Sequence, residues 1–215
     1  MQFADPMEKH VSTLASTKWL LSANWPPERP VPQPEEEPLF DDEHFELIDG
    51  HLVEKPMGIE EQTIDSDLHL WLGTFVRDHG LGRTVVEGKF ALPNVGNNRI
   101  PDLAFVSYAT WPKAKRRPKG PLWRVAPDLA VEVIRPTDGG ADVMTKMKEY
   151  FTAGCKSVWI VWPGLEQIHV YTSPAAVRIF GGSDTLIGDP VVPGFRLELE
   201  ELFPADEPEG TPASP

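Results

Sequence analysis

Residues 128–162 constrain the fold more than any other part of this 215-residue chain. "DLAVEVI" (128–134) is nearly all apolar, as expected of a central strand covered on both faces. A helical segment follows from Asp138, its expected N-cap, to about Ala153, and Gly154 stops it. "SVWIVWP" (157–163) is a second apolar run. Strand, helix and strand in that order predict a parallel pair joined by a right-handed crossover.

The flanking segments add elements to this unit. "FELIDGHLVE" (45–54) reads as two short strands around Asp49-Gly50, a pair that accepts the positive φ of a tight hairpin. Ile64, Leu68, Trp71, Leu72, Phe75 and Val76 recur at helical spacing, so a helix is expected from about Glu60 to His79, ended by Gly80 and Gly82. "RTVVEGKFAL" (83–92), "IPDLAFVS" (100–107) and "QIHVYTS" (167–173) are expected strands, and "LEELF" (199–203) a last helical turn. The expected class is α/β, a mixed sheet flanked by helices.

Charge is unevenly distributed. The chain carries a net −13, which taken whole argues against a nucleic-acid binder. Residues 1–43 hold nine acids against three bases, and residues 205–215 three acids and no base. Both are dense in proline ("NWPPERPVPQPEEEP", "PADEPEGTPASP") and are expected to be linker-like. A short helix with Val11, Leu14 and Leu21 on one side is expected within 8–23 of the first. The globular domain is expected over 44–204, where the balance is 21 acids to 17 bases. No apolar stretch approaches a bilayer span, and Asp5 and Glu8 stand where a signal peptide is basic. A cytoplasmic protein is the reading. The single cysteine, Cys155, agrees and is read as a small apolar residue at a helix–strand junction.

Metal-thiolate, zincin, phosphate-loop and nucleophile-elbow motifs are absent. What remains is acids on strands. Glu132 lies between Val131 and Val133, on the face shared by Ala130 and Ile134. A carboxylate there needs solvent, a partner or a cation. Asp102 opens a strand that can lie beside it, and two such carboxylates form a hard oxygen site suited to Mg²⁺. The residues alone leave a second reading open: strand-end acids in salt bridges with Arg99 or Arg135.

The series "FELIDGHLVE", "RIPDLAFVS", "APDLAVEVIRPTD", "DVMTKMKEYFTAGCKSVWIVWP" and "VVPGFRLELEELF" resembles the Uma-two family of the PD-(D/E)XK nuclease superfamily, in order from Phe45 to Phe203. The resemblance implies a restriction-endonuclease-like mixed β-sheet core and Mg²⁺- or Mn²⁺-dependent hydrolysis of DNA. It assigns the metal to Asp102, Glu132 and the carbonyl of Val133, leaving Asp128 structural. The superfamily lysine two residues beyond the acid is replaced here by Ile134. The resemblance passes its role to Lys146 on the following helix, with Lys148 as the alternative. Glu46, or else Glu61, is the expected accessory acid. Arg135 is expected to hold a phosphate or to tie up Glu132. "PKAKRRPKG" (112–120) supplies Lys113, Lys115, Arg116, Arg117 and Lys119 in a loop between the two motif strands, read as a contact for DNA phosphates near the site. A homodimer is one assembly open to such a fold. The contrasting reading is a nuclease-like fold without activity, serving as a nucleic-acid or protein binding module.

Overall fold

The computed structural model describes residues 45–55 and 58–205. The expected N-terminal segment with its helix, and the tail from 206 onward, lie outside the described residues.

The Asp49-Gly50 hairpin forms as expected. Both residues take positive φ, 48° and 81°, and join β1 (Phe45–Ile48) to β2 (His51–Glu54). Helix α1 spans Ile59–Asp78. Strands β3 (Gly82–Val86), β4 (Phe90–Ala91), β5 (Asn98–Arg99), β6 (Leu103–Ser107) and β7 (Leu129–Val133) follow. Then come α2 (Gly140–Ala153), β8 (Ser157–Trp162), β9 (Gln167–Ser173) and β10 (Ala176–Gly181). β11 (Thr185–Ile187), β12 (Arg196–Glu198) and α3 (Leu199–Leu202) complete the described chain.

The central sheet has six strands in the order β10-β9-β8-β7-β6-β3. Only the β7–β8 pair is parallel, joined through α2 as the strand–helix–strand pattern requires. Alternation sorts the side chains into two layers. Leu103, Phe105, Leu129, Val131, Val133, Trp159 and Val161 pack in one core with Ile64, Leu68, Leu72 and Val76 of α1. Ala104, Val106, Ala130, Ile134, Val158 and Ile160 pack in another with Val143, Met147, Tyr150 and Ala153 of α2. A smaller sheet, β2-β1-β5-β4, brings the hairpin to the polypeptide just before Asp102.

Two expected strands are broken. Residues 83–92 leave the central sheet after Val86, because Glu87 turns to a φ of 49°. The chain then joins the small sheet through Phe90 and Ala91. Residues 100–107 pair in the central sheet only from Leu103. Pro101 has no N–H for a ladder, and the Ile100 N–H is taken by the Glu46 carboxylate at 2.8 Å. The break matters, since it sets Asp102 at the mouth of the sheet rather than inside a ladder. The N-cap of α2 is Gly139 rather than Asp138. Asp138 instead accepts hydrogen bonds from the Arg135 backbone N–H (3.0 Å) and its guanidinium (2.6 Å).

Candidate active site

β6 and β7 are antiparallel with Leu103 opposite Val131. One step further along that register Asp102 is level with Glu132. The Val133 N–H donates to Asp102 Oδ2 at 2.7 Å, pinning the aspartate across the strand pair. Both acids line a cleft of about 390 Å³, together with Val133, Lys146, Lys55, Asp65 and Glu61.

Glu132 is buried on the α2 face. The Tyr150 hydroxyl donates to its Oε1 at 2.6 Å, and Lys146 Nζ donates to its Oε2 at 2.9 Å. Tyr150 and Lys146 reach the same side chain because they lie four residues apart on one side of α2. Lys146 also meets Glu46 Oε1 at 2.8 Å, whereas Lys148 is exposed on the helix. Burial raises the pKa of Glu132, outweighing the nearby Lys146 and Lys55; Asp102 and Glu46 add to the rise. Burial acts on Glu46 in the same sense, yet Lys146, the Ile100 N–H and Arg99 hold it below the ordinary carboxylate value. Burial and the Glu132 carboxylate push the Tyr150 phenol up, so it remains a donor.

Glu46 therefore stands against Lys146, and Glu61 lies elsewhere along the cleft. Behind Glu46 is a buried frame. Arg99 Nη1 donates to Glu46 Oε2 at 2.9 Å and Nε to Glu149 Oε2 at 2.6 Å. Asn97 Nδ2 donates to Glu149 Oε1 at 2.8 Å. This frame ties β1, β5 and α2 together beneath the two strand acids.

Arg135 lines the cleft and pairs with Asp138. Two expectations change. Arg99 pairs with Glu46 and Glu149 rather than with the two strand acids. The basic loop is not beside the acids: it joins the C-terminal end of β6 to the N-terminal side of β7, whereas Asp102 and Glu132 sit at the other end. Five residues of strand put roughly 17 Å between them. Arg83 holds that loop by donating to the carbonyls of Trp111, Lys113 and Lys115 at 3.3, 3.1 and 3.4 Å. Lys115 stacks 3.5 Å above the Trp111 ring. Lys113 and Arg117 line a groove of about 1020 Å³ between the loop, α1 and β3.

Asp128 opens β7 at that same far end. It accepts from the Ser107 N–H at 2.7 Å, from the Thr110 hydroxyl at 2.9 Å and from Lys156 Nζ at 2.5 Å. It fastens strands and a loop, the structural part expected of it. Cys155 is buried, its thiol pushed up to about 12 by burial, and its Sγ donates to the Ser157 carbonyl at 3.0 Å.

Two residues of the site were not picked out from the sequence. Lys55, just beyond β2, sets its Nζ 2.7 Å from Asp102 Oδ1 and 3.7 Å from Glu132 Oε2, and donates to the Ile100 carbonyl at 2.7 Å. Nothing local flags a lysine 47 residues before its partner. Asp65 projects from α1 into the cleft, and its buried Oδ1 has no hydrogen-bond partner. Burial, with repulsion from Asp102, Glu87 and Glu132 against the pull of Lys55, drives it up to about 7. Its signal was legible: an acid in helical register with Leu68 and Leu72.

The residues fit a divalent cation. The oxygens of Asp102, Glu132 and Ile100 already surround a positive charge, the Lys55 ammonium, and Asp65 offers an unpartnered carboxylate oxygen nearby. All are hard donors. Among the described residues no three acids, histidines or cysteines converge as a ready-made metal cage. Mg²⁺ commonly takes one or two carboxylates and completes its shell with water and phosphate oxygens.

A family model, Uma2, described as "Putative restriction endonuclease", matches residues 33–200. The crystal structure of a "putative nuclease belonging to DUF820" from Anabaena variabilis is similar to this chain, with a TM-score of 0.64 and 21% sequence identity. The match covers 74% of this chain and 89% of that one, and at such identity it shows the fold. No curated protein matches this chain. Among the described residues no helix is long and apolar enough to cross a membrane.

Proposed function

Since this chain belongs to the Uma2 family, we propose that it is a metal-dependent nuclease hydrolysing DNA phosphodiester bonds at the Asp102–Glu132 cleft. One observation carries the reading: two acids on neighbouring strands are level, face a common cationic position and have Lys146 beside them. Asp102 and Glu132 would hold Mg²⁺ or Mn²⁺, with the Val133 carbonyl as a further oxygen donor. When bound, the ion supplies Lewis-acid polarisation of the phosphate and a water of lowered pKa.

The chain's own residues do the rest. Tyr150 fixes one oxygen of Glu132 and so aims the other at the cleft. Lys146, oriented by Glu46 and Glu132, presents a fixed positive charge where negative charge builds on the phosphate oxygens. Glu46, braced by Arg99, acts on that charge through Lys146. Substrate backbone would be guided by the groove between α1, β3 and the 112–120 loop, which Lys113 and Arg117 line, with Lys115, Arg116 and Lys119 exposed on the same loop.

The test is nicking of supercoiled plasmid by the full chain, with Mg²⁺ or Mn²⁺ and with EDTA. Nicking that needs the metal, falls at least about 100-fold in Asp102→Asn and Lys146→Ala, and survives in Lys148→Ala supports the reading. A wild type inert on DNA and RNA with every divalent metal refutes it. The second reading, a nuclease-like fold that binds without cutting, draws on the same ion network, because Lys55 and Lys146 already neutralise the acids. Plasmid binding without metal-dependent cleavage would favour it.

A further inference from the structure

Lys55 and Lys146 both touch the acids, but they are held differently. Lys146 projects from the middle of α2 and is gripped by Glu46 and Glu132. Lys55 follows β2, an edge strand of the small sheet, and lines the cleft from a short segment outside the central sheet and its helices. Its ammonium lies 2.7 Å from Asp102 Oδ1 and from the Ile100 carbonyl, with Glu132 Oε2 at 3.7 Å. A divalent ion seeks the same oxygens at about 2.0–2.6 Å. Two cations cannot share that space.

We propose that Lys55 is an intramolecular counter-ion that holds the cation position between Asp102 and Glu132 and is expelled when a divalent metal binds. Metal uptake is then an exchange of one cation for another, and Lys55 sets the metal affinity of the site. The cleft contains a landing place for the displaced ammonium. Asp65 lines the same cleft, senses the charge of Lys55, and presents a buried Oδ1 that has no hydrogen-bond partner. With metal absent, the lysine prevents two strand acids from facing one another uncompensated. With metal bound, the same arm moves to the wall formed by α1.

The inference rests on the metal-dependent reading above, and its test separates the two. Mn²⁺ binding to the full chain is measured by calorimetry for wild type, Lys55→Met, Lys55→Arg and Asp102→Asn. Lys55→Met should bind Mn²⁺ at least about 10-fold tighter than wild type, because no ammonium has to leave. Lys55→Arg should bind no tighter than wild type, and Asp102→Asn should lose binding. A parallel measurement uses only wild type: the rate at which an acylating reagent labels the Lys55 amine, read by mass spectrometry, should change at saturating Mn²⁺, because the amine exchanges its Asp102 and Glu132 partners for new surroundings. Lys55→Met that binds Mn²⁺ no tighter than a wild type whose binding needs Asp102 overturns the exchange and leaves the metal site standing. Absence of Mn²⁺ binding in both proteins overturns the metal reading and the exchange with it. Should Lys55→Met fail to fold, unchanged Lys55 labelling at saturating Mn²⁺ overturns the exchange.

Discussion

Replacing Arg99 with methionine removes the one guanidinium between Glu46 and Glu149 and keeps most of its volume. Arg99 is 4% exposed. Its Nη1 and Nε lie 2.9 and 2.6 Å from the two carboxylates. Removing one member of a buried ion pair costs about 3–5 kcal/mol, because the charge left behind has lost both water and partner. Both acids keep some support here: Glu46 retains Lys146 and the Ile100 N–H, and Glu149 retains Asn97. The loss should therefore fall near the lower end, about 3 kcal/mol. At roughly 2–4 °C per kcal/mol for a domain of this size, Tm should fall by roughly 6–12 °C. Urea unfolding at pH 7 should show a lower midpoint with an unchanged slope. Adding Glu149→Gln should recover part of the loss, because the second substitution removes the orphaned charge. An Arg99→Met protein within about 1 kcal/mol of wild type would refute the claim that this frame is a desolvated network.

Asp65→Asn tests the orphaned acid. The folded pKa of Asp65, about 7, lies above the ordinary 3.8, so the folded state holds a proton that the unfolded chain releases, and wild type loses stability as pH rises from about 4 to 7. In EDTA, the Asp65→Asn protein should gain roughly 2 kcal/mol over wild type above pH 7, about half the full shift after solvent screening, and nothing below pH 4, read by urea unfolding across pH. Tyr150→Phe removes a donor from a buried carboxylate and should cost about 1.5–3 kcal/mol in the same assay. Replacing Lys115, Arg116 and Arg117 together with alanine should weaken plasmid binding and lower the slope of log affinity against log salt by about 2–3, read by fluorescence anisotropy, with Tm unchanged within about 2 °C. An unchanged slope returns the loop to an ordinary solvated surface.

Local pattern determined a good deal of this protein. The apolar run at 128–134, the helix after it and the run at 157–163 specify a parallel crossover by chain geometry alone. The period-2 alternation in β7 put Glu132 on the face of Ala130 and Ile134, and the structure packs that face against α2. The helical period showed Lys146 and Lys148 on opposite edges of the buried stripe, but not which edge meets the strand acids. That was decided by how α2 packs over β7, which turns Lys146 onto Glu132 and leaves Lys148 exposed. The basic loop shows the limit in the other direction. Sequence places it between the two motif strands, but their antiparallel pairing puts it and the acids at opposite ends. Lys55 and the Arg99–Glu149 pair were out of reach for the same reason. Their partners are about 50 residues away, and a charge–charge contact at that separation leaves no periodicity for a local pattern to register. Propensity and spacing act over a few residues, whereas a buried ion network forms only where sheet register and helix packing bring distant charges together out of water.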